Sequence, residues 1–480
     1  MSETDRRRWL ALYTLCAGVL MIVLDATIVN VALPTIAVDL RFAPTDLSWV
    51  VNAYLISFGG LLLLAGRVGD LVGQRRVFLA GLAVFVAASV ACAAATAPWM
   101  LVAARLVQGV GGALTSAVVL GMIVSLFPDP SECAKAIGVY GFVASAGGSI
   151  GLLSGGVLTS ALDWRWIFLV NVPVGIATVV CTLRYVDTSP RHALHGLADA
   201  PSALLLTAGL MVGVYTIVEI TLRSLSATAT TGAIAIALLV AFVVRQATVA
   251  EPLLPLRLFR SRIVTGANLV QGLLVVGMFG TFFLGALYLQ NVRGYGPLQI
   301  GLAFLPATLV MGVMSLRLAA TVTARLGAHR TLVVSLVILT VGLVLYARLP
   351  VDASYVVDIA PAMVLTGLGA GLGFPALTGM AMSAATPADS GLASGLYNTT
   401  VQVGGAIGLA VLSSLSNDRA HHLAAAGAGS ASALTGGYHV AFVAAAAAAA
   451  LAAGLAVVVL RPTAVHASDL HALEPVPALD

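Results

Sequence analysis

Apolar residues run through the chain in stretches of about twenty, broken by short polar segments, and a bilayer core of about 30 Å needs a helix of about that length. Fourteen such stretches fall near 9–33, 47–65, 77–96, 99–127, 136–160, 166–186, 201–221, 229–248, 263–290, 298–322, 331–348, 354–384, 390–414 and 439–460. The pattern predicts an all-α polytopic membrane protein. The first stretch follows Arg6-Arg7-Arg8, but it is too long for a secretory leader and Leu24-Asp25-Ala26 is a poor cleavage site, so it stays as the first helix.

The intervening segments group these helices. Pro- and charge-marked loops at 187–200 and 249–262 isolate two spans between two blocks of six. The expected organisation is a six-helix bundle over 1–190, two additional helices and a linker over 191–262, a second six-helix bundle over 263–462, and a disordered cytoplasmic tail over 463–480. The loops 66–76 (GRVGDLVGQRR) and 320–330 (ATVTARLGAHR) occupy matching places, with Gly73 opposite Gly327 and Arg76 opposite Arg330. This is a degenerate internal repeat, a common way to build a transporter.

Composition narrows the chemistry. Only 9% of the 480 residues are charged against 60% hydrophobic, where a soluble domain carries about 25% charged residues. A soluble enzyme is excluded. The single lysine, Lys135, precedes Ala136, so no Gly-Lys-Ser/Thr phosphate loop exists and this polypeptide does not hydrolyse ATP through one. Cys16, Cys92, Cys133 and Cys181 lack the spacing of a disulfide framework or zinc site and read as small hydrophobes. No histidine cluster has metal spacing, and no cofactor or nucleic acid is called for.

Placing the amino terminus in the cytoplasm puts seventeen of the 24 basic residues on the inner side, six outside, and leaves Arg105 within a span. That bias sets the orientation, with both termini cytoplasmic. Two ionisable residues lie deep in spans. Asp25 is about 22 Å from the inner face and Arg105 about 9 Å from the outer face, which are nearly the same depth. They should face one another or share a water-filled cavity, as either a functional pair or a static ion pair fixing helix packing. Glu219 and Asp358 read as solvated span ends, Trp99, Trp164 and Trp166 as interfacial anchors, and His421 and His422 as residues of an outer loop. Gly147, Gly151 and Gly155 form a small-residue stripe on the fifth span, where close helix packing is the simplest reading.

Four segments then resemble one family. LDATIVNVALP (24–34), GRVGDLVGQRR (66–76), RLVQGVGGA (105–113) and the glycine pattern at 138, 147, 151, 155 and 156 are similar to the motifs of drug:proton antiporters of the major facilitator superfamily. Fourteen spans and WRWIFLVNVPVG (164–175) point to its fourteen-helix branch. Leu152 stands where that pattern usually has proline, and Leu71 and Gln74 where the loop signature is usually basic.

The resemblance implies a plasma-membrane exporter that exchanges protons for lipophilic drugs by alternating access, acting as a monomer in the lipid bilayer. Asp25 and Arg105 would then serve proton or substrate coupling. Gly66, Asp70, Gly73 and Arg75 would gate the cytoplasmic side, and Gly147, Gly151, Gly155 and Gly156 would allow the bundles to rock. A proton-linked symporter of a small metabolite, and a membrane protein without transport, remain the alternatives.

Overall fold

In the computed structural model, residues 3–43, 46–127, 129–186, 200–218, 224–249, 252–254, 256–383 and 390–460 are described. All regular structure among them is helical. The helices are α1 (Glu3–Asp39), α2 (Trp49–Val72), α3 (Gln74–Ala93), α4 (Pro98–Leu126), α5 (Pro130–Ala161) and α6 (Trp166–Tyr185). Then come α7 (Ala200–Val218), α8 (Leu225–Thr248), α9 (Arg262–Asn291), α10 (Pro297–Val313) and α11 (Ala319–Leu326). The chain ends with α12 (Ala328–Tyr346), α13 (Ala360–Ser383), α14 (Ser390–Ala425) and α15 (Ser430–Val459).

Twelve helices among the described residues are long and apolar enough to cross a membrane. The other two apolar runs are α5, a helix of 32 residues, and the one that opens with α10, which is interrupted at Phe304, restarts at Leu305-Pro306 and ends at Val313. Proline supplies no amide hydrogen and suits a first turn. A π-turn over Met314–Leu318 then links α10 to α11.

The expected loops at 66–76 and 320–330 are instead almost wholly helical. Each contains one glycine that breaks the helix: Gly73 at φ 107°, ψ 126°, between α2 and α3, and Gly327 at φ 82°, ψ 151°, between α11 and α12. That backbone region is open essentially to glycine alone. Polar sequence was a poor guide to loop structure here because both helices extend past the apolar core. The repeat continues one residue past each helix start. Arg75 donates from Nη2 to the Leu183 carbonyl near the end of α6 at 2.9 Å. His329, two residues after Gly327 as Arg75 is two after Gly73, places Nε2 3.1 Å from the Ala456 carbonyl near the end of α15.

Two seams join the halves. On one, α2 meets α14: a methyl group at Gly59 would stand 2.7 Å from Gln402 Cβ, and one at Gly395 the same distance from Leu63. On the other, α5 meets α10, where Gly156 lies against the Pro297 carbonyl and Leu298 Cα. The pair α7 and α8 packs beside the first seam. Thr207 of α7 sits against Gly60 of α2, and the Trp49 and Tyr215 rings approach to 6.5 Å.

Other expectations need correction. Trp164 is not an interfacial anchor: it is buried, and its indole N–H donates to Asp39 at 2.9 Å, tying the α5–α6 turn to the end of α1. Trp99 and Trp166 are exposed, as the anchor reading requires. His421 and His422 are not in a loop, because α14 runs on to Ala425, where His422 approaches Asp418. Asp358 accepts the Ser354 backbone N–H at 2.7 Å and so caps the turn that opens the twelfth apolar run. Glu219, the 187–199 part of the first linker and the tail after 460 lie outside the described residues.

Candidate functional site

Asp25 sits near the middle of α1, in the LDATIVN stretch, and is completely buried. Polar neighbours on the same helix are satisfied locally. Thr27 donates to the Val23 and Leu24 carbonyls, and Asn30 to those of Ala26 and Thr27, so neither competes for the carboxylate. Asp25 is left to look outward from its helix.

What it meets comes mainly from α4. Arg105 and Gln108, three residues apart on one helical face, both reach it. Arg105 Nη1 donates to Asp25 Oδ2 at 2.5 Å, and Gln108 Nε2 to Asp25 Oδ1 at 2.8 Å. The same Arg105 nitrogen donates to Gln108 Oε1 at 2.7 Å, and Arg105 Nε to the Val50 carbonyl at 2.9 Å. Asn171 of α6 donates to Asp25 Oδ1 at 2.8 Å. Ser89 of α3 accepts from Gln108 at 2.8 Å, and the Cys92 thiol lies 3.6 Å from Gln108 Oε1. The guanidinium stacks over the Tyr54 ring at 4.3 Å and lies 5.8 Å from Phe168.

The expected pairing of Asp25 with Arg105 is therefore direct. It is sealed in protein: both side chains have no solvent exposure. A buried charge pair is tolerable only when its remaining hydrogen-bonding capacity is met, and Asp25 has three donors on its two oxygens. The arginine is less complete, since its Nη2 and the nearby Tyr54 hydroxyl are buried without a partner.

Glycines allow the convergence. On α4, Gly109 lies against the Tyr54 carbonyl of α2 and Gly111 against the Phe85 amide of α3, so both helices approach at backbone distance. On α5, Gly147 faces Val23, Gly151 faces Thr27 and the Leu24 carbonyl, and Gly155 faces the Ile28 carbonyl. The stripe thus packs on the α1 turns that bracket Asp25, whereas Gly156 faces the other half.

The second half repeats the packing without the charge. Gly369 of α13 lies against the Leu339 amide as Gly111 lies against that of Phe85. Counting back six residues from each glycine pairs Arg105 with Met363, and counting back three pairs Gln108 with Thr366. Met363 is buried, and Thr366 helps line a small, almost wholly apolar cavity with Thr281, Met278 and Leu339.

Of the remaining candidates, Arg75 holds the α6 end, while Gly66 and Gly73 have open space at the Cβ position. The side chain of Asp70 lies outside the described residues. Asn171, Ser89, Tyr54 and Cys92 were not anticipated. None is an acidic or basic residue, so the formal charges in the apolar runs do not point to them; Asn171 is nonetheless visible as the lone amide within WIFLVNVPVG.

The model of the Major Facilitator Superfamily matches residues 15–409, from the first helix to the middle of α14. The chain belongs to the Major Facilitator Superfamily. It is a membrane transporter rather than an enzyme. Among its superfamily relatives, the puromycin resistance protein pur8 of Streptomyces alboniger is 38% identical over 447 residues, covering 91% of this chain and 87% of that protein. The cephamycin export protein CmcT of Amycolatopsis lactamdurans is 39% identical, covering 84% of each chain. The lincomycin resistance protein of Streptomyces lincolnensis is 35% identical, covering 86% and 85%. Among solved structures, the POT family transporter PepTSo superposes with a TM-score of 0.67 at 16% identity, covering 93% of this chain and 98% of that one, a likeness of fold alone.

Proposed function

We propose that this transporter is a proton-coupled antiporter that exports lipophilic drugs or antibiotics across the plasma membrane by alternating access. In this reading fourteen helices span the membrane, both termini are cytoplasmic, and the chain works as a monomer with protons and a lipophilic small molecule as its partners. The two bundles comprise 1–190 and 263–462, with 191–262 between them. The names of the relatives, which speak of antibiotic resistance and export, support the substrate class.

The observation that carries the coupling reading is the Asp25 carboxylate with three donors and no solvent exposure. An ionised carboxylate only accepts hydrogen bonds. Adding a proton removes the negative charge that strengthens the bonds from Arg105, Gln108 and Asn171 and leaves the buried guanidinium without a counter-charge, so the hold of these three donors on Asp25 weakens. Those bonds join α1 to α4 and α6, so protonation loosens α1 within the first bundle. The glycines Gly147, Gly151 and Gly155 let α1 shift against α5, and Gly156 transmits the shift to α10. Gly66, Asp70, Gly73 and Arg75 gate the cytoplasmic end.

The test uses everted vesicles with an acidified lumen. Antiport predicts alkalinisation of the lumen when a substrate from a resistance panel is added, abolished by an uncoupler and by Asp25→Asn. Further acidification would indicate symport, and no change at all would remove coupled transport.

A further inference from the structure

The two seams between the halves are equivalent by the repeat but differ in what lines and covers them. On α2, Asn52, Gly59 and Leu63 fall on one face, at intervals of seven and four residues, and Gly59 and Leu63 are seen against α14. On α14, Thr399, Gln402 and Ser413 share the opposing face by the same periodicity. Both ends of the Asn52 amide and the Thr399 and Ser413 hydroxyls are buried without partners. This seam is polar inside.

It is also covered. Leu63 of α2 and Leu396 of α14 join Phe242 of α8, Leu254 and Val264 in one buried apolar cluster, with Leu205 and Leu206 of α7 packed on it. The cover is pinned: Gln246 of α8 is buried, donates to Ser202 of α7 at 2.6 Å, and accepts the Leu254 backbone N–H at 2.8 Å. The α5–α10 seam has no such lid among the described residues. It is closed by Gly156 against Pro297 and Leu298, and its outer rim is the exposed apolar set Val157, Leu298 and Leu302.

We infer that compounds dissolved in the bilayer reach the interior between the halves only through the α5–α10 seam, and that α7 and α8 exist to bar the α2–α14 seam. The inference deepens the proposed export of lipophilic compounds and rests on that reading for its biological meaning. The contrast between the seams does not depend on transport.

The experiment therefore uses the small lipophilic photoprobe 3-trifluoromethyl-3-phenyldiazirine on the full protein in proteoliposomes, with adducts located by mass spectrometry. Adducts at Gly156, Pro297 and Leu298 should exceed those at Asn52, Leu63, Leu396 and Thr399 by about tenfold, the factor that a difference of about 1.4 kcal/mol in access produces. Phe242→Ala, which thins the lid, should raise labelling of Leu63 and Leu396 several-fold; Leu205→Ala serves if that variant fails to fold. Equal labelling of the two seams in the unaltered protein, or an α2–α14 seam that stays unlabelled when the lid is thinned, overturns the inference. Seam contrast without substrate-driven proton movement would instead retain the inference and remove the export reading.

Discussion

Gly151 of α5 lies so close to Thr27 of α1 that a methyl group at position 151 would stand 2.0 Å from the threonine Oγ1 and 2.9 Å from the Leu24 carbonyl. Asp25 lies between those two contacts in sequence, so the glycine stripe holds the helix segment that presents the carboxylate. A methyl group at Gly148, three residues away, would meet only the Thr27 methyl at 3.9 Å.

Gly151→Ala should therefore impair substrate efflux severely and lower stability by about 1–3 kcal/mol, as overpacking does. Gly148→Ala should transport like the unaltered protein. Adding Thr27→Ala to Gly151→Ala should restore only part of the loss, because the Leu24 carbonyl remains. Dye efflux from whole cells and thermal unfolding in detergent measure both effects.

Arg105→Met places in the first half the residue that the second half carries at position 363. Alone it strands a buried carboxylate, and the expected loss is about 3–5 kcal/mol. Combined with Asp25→Leu it should recover most of that stability, since apolar replacement of a buried pair is often neutral. Coupled transport should stay absent in the double variant. A stable double variant that still couples proton and drug movement would reduce the pair to a packing device.

Asn171→Leu removes one of the three donors on Asp25 and leaves the carboxylate short of a partner, at an expected cost of about 1–3 kcal/mol. Asn171→Asp puts a second carboxylate within contact of the first and should be the more damaging of the two. The ordering of the two variants in melting temperature and in proton-driven efflux checks the geometry.

Gly73→Ala and Gly327→Ala each force a side chain into positive φ where nothing lies within 4 Å of the new Cβ. The cost is conformational, about 1–3 kcal/mol each, and repacking neighbours cannot relieve it. Thermal unfolding of the single and double variants should show nearly additive losses, because the two sites lie in different halves.

Reading the chain as a sequence located most of the helices, since a 20-residue apolar run in hydrocarbon has few options besides a helix. It also placed Asp25 and Arg105 at one depth by counting residues along two helices of known rise. It misjudged Trp164, because an indole at a span end can anchor in lipid or hydrogen-bond inward to Asp39, and composition is the same in both cases. It read 66–76 and 320–330 as loops because polar residues mark departure from the membrane, not departure from the helix.

The sequence by itself determined the membrane class and the scarcity of deep charge, because these follow from one-dimensional hydropathy and from where charged residues fall along it. Only the tertiary structure decided that Asn171, Gln108 and Ser89 complete the Asp25 site, that the α5 glycines lean on the turns around that aspartate, and that α7 and α8 cover one seam but not its mate. Those facts depend on which helix faces which, and neutral side chains at helical spacing carry no mark of their partner until the helices are packed.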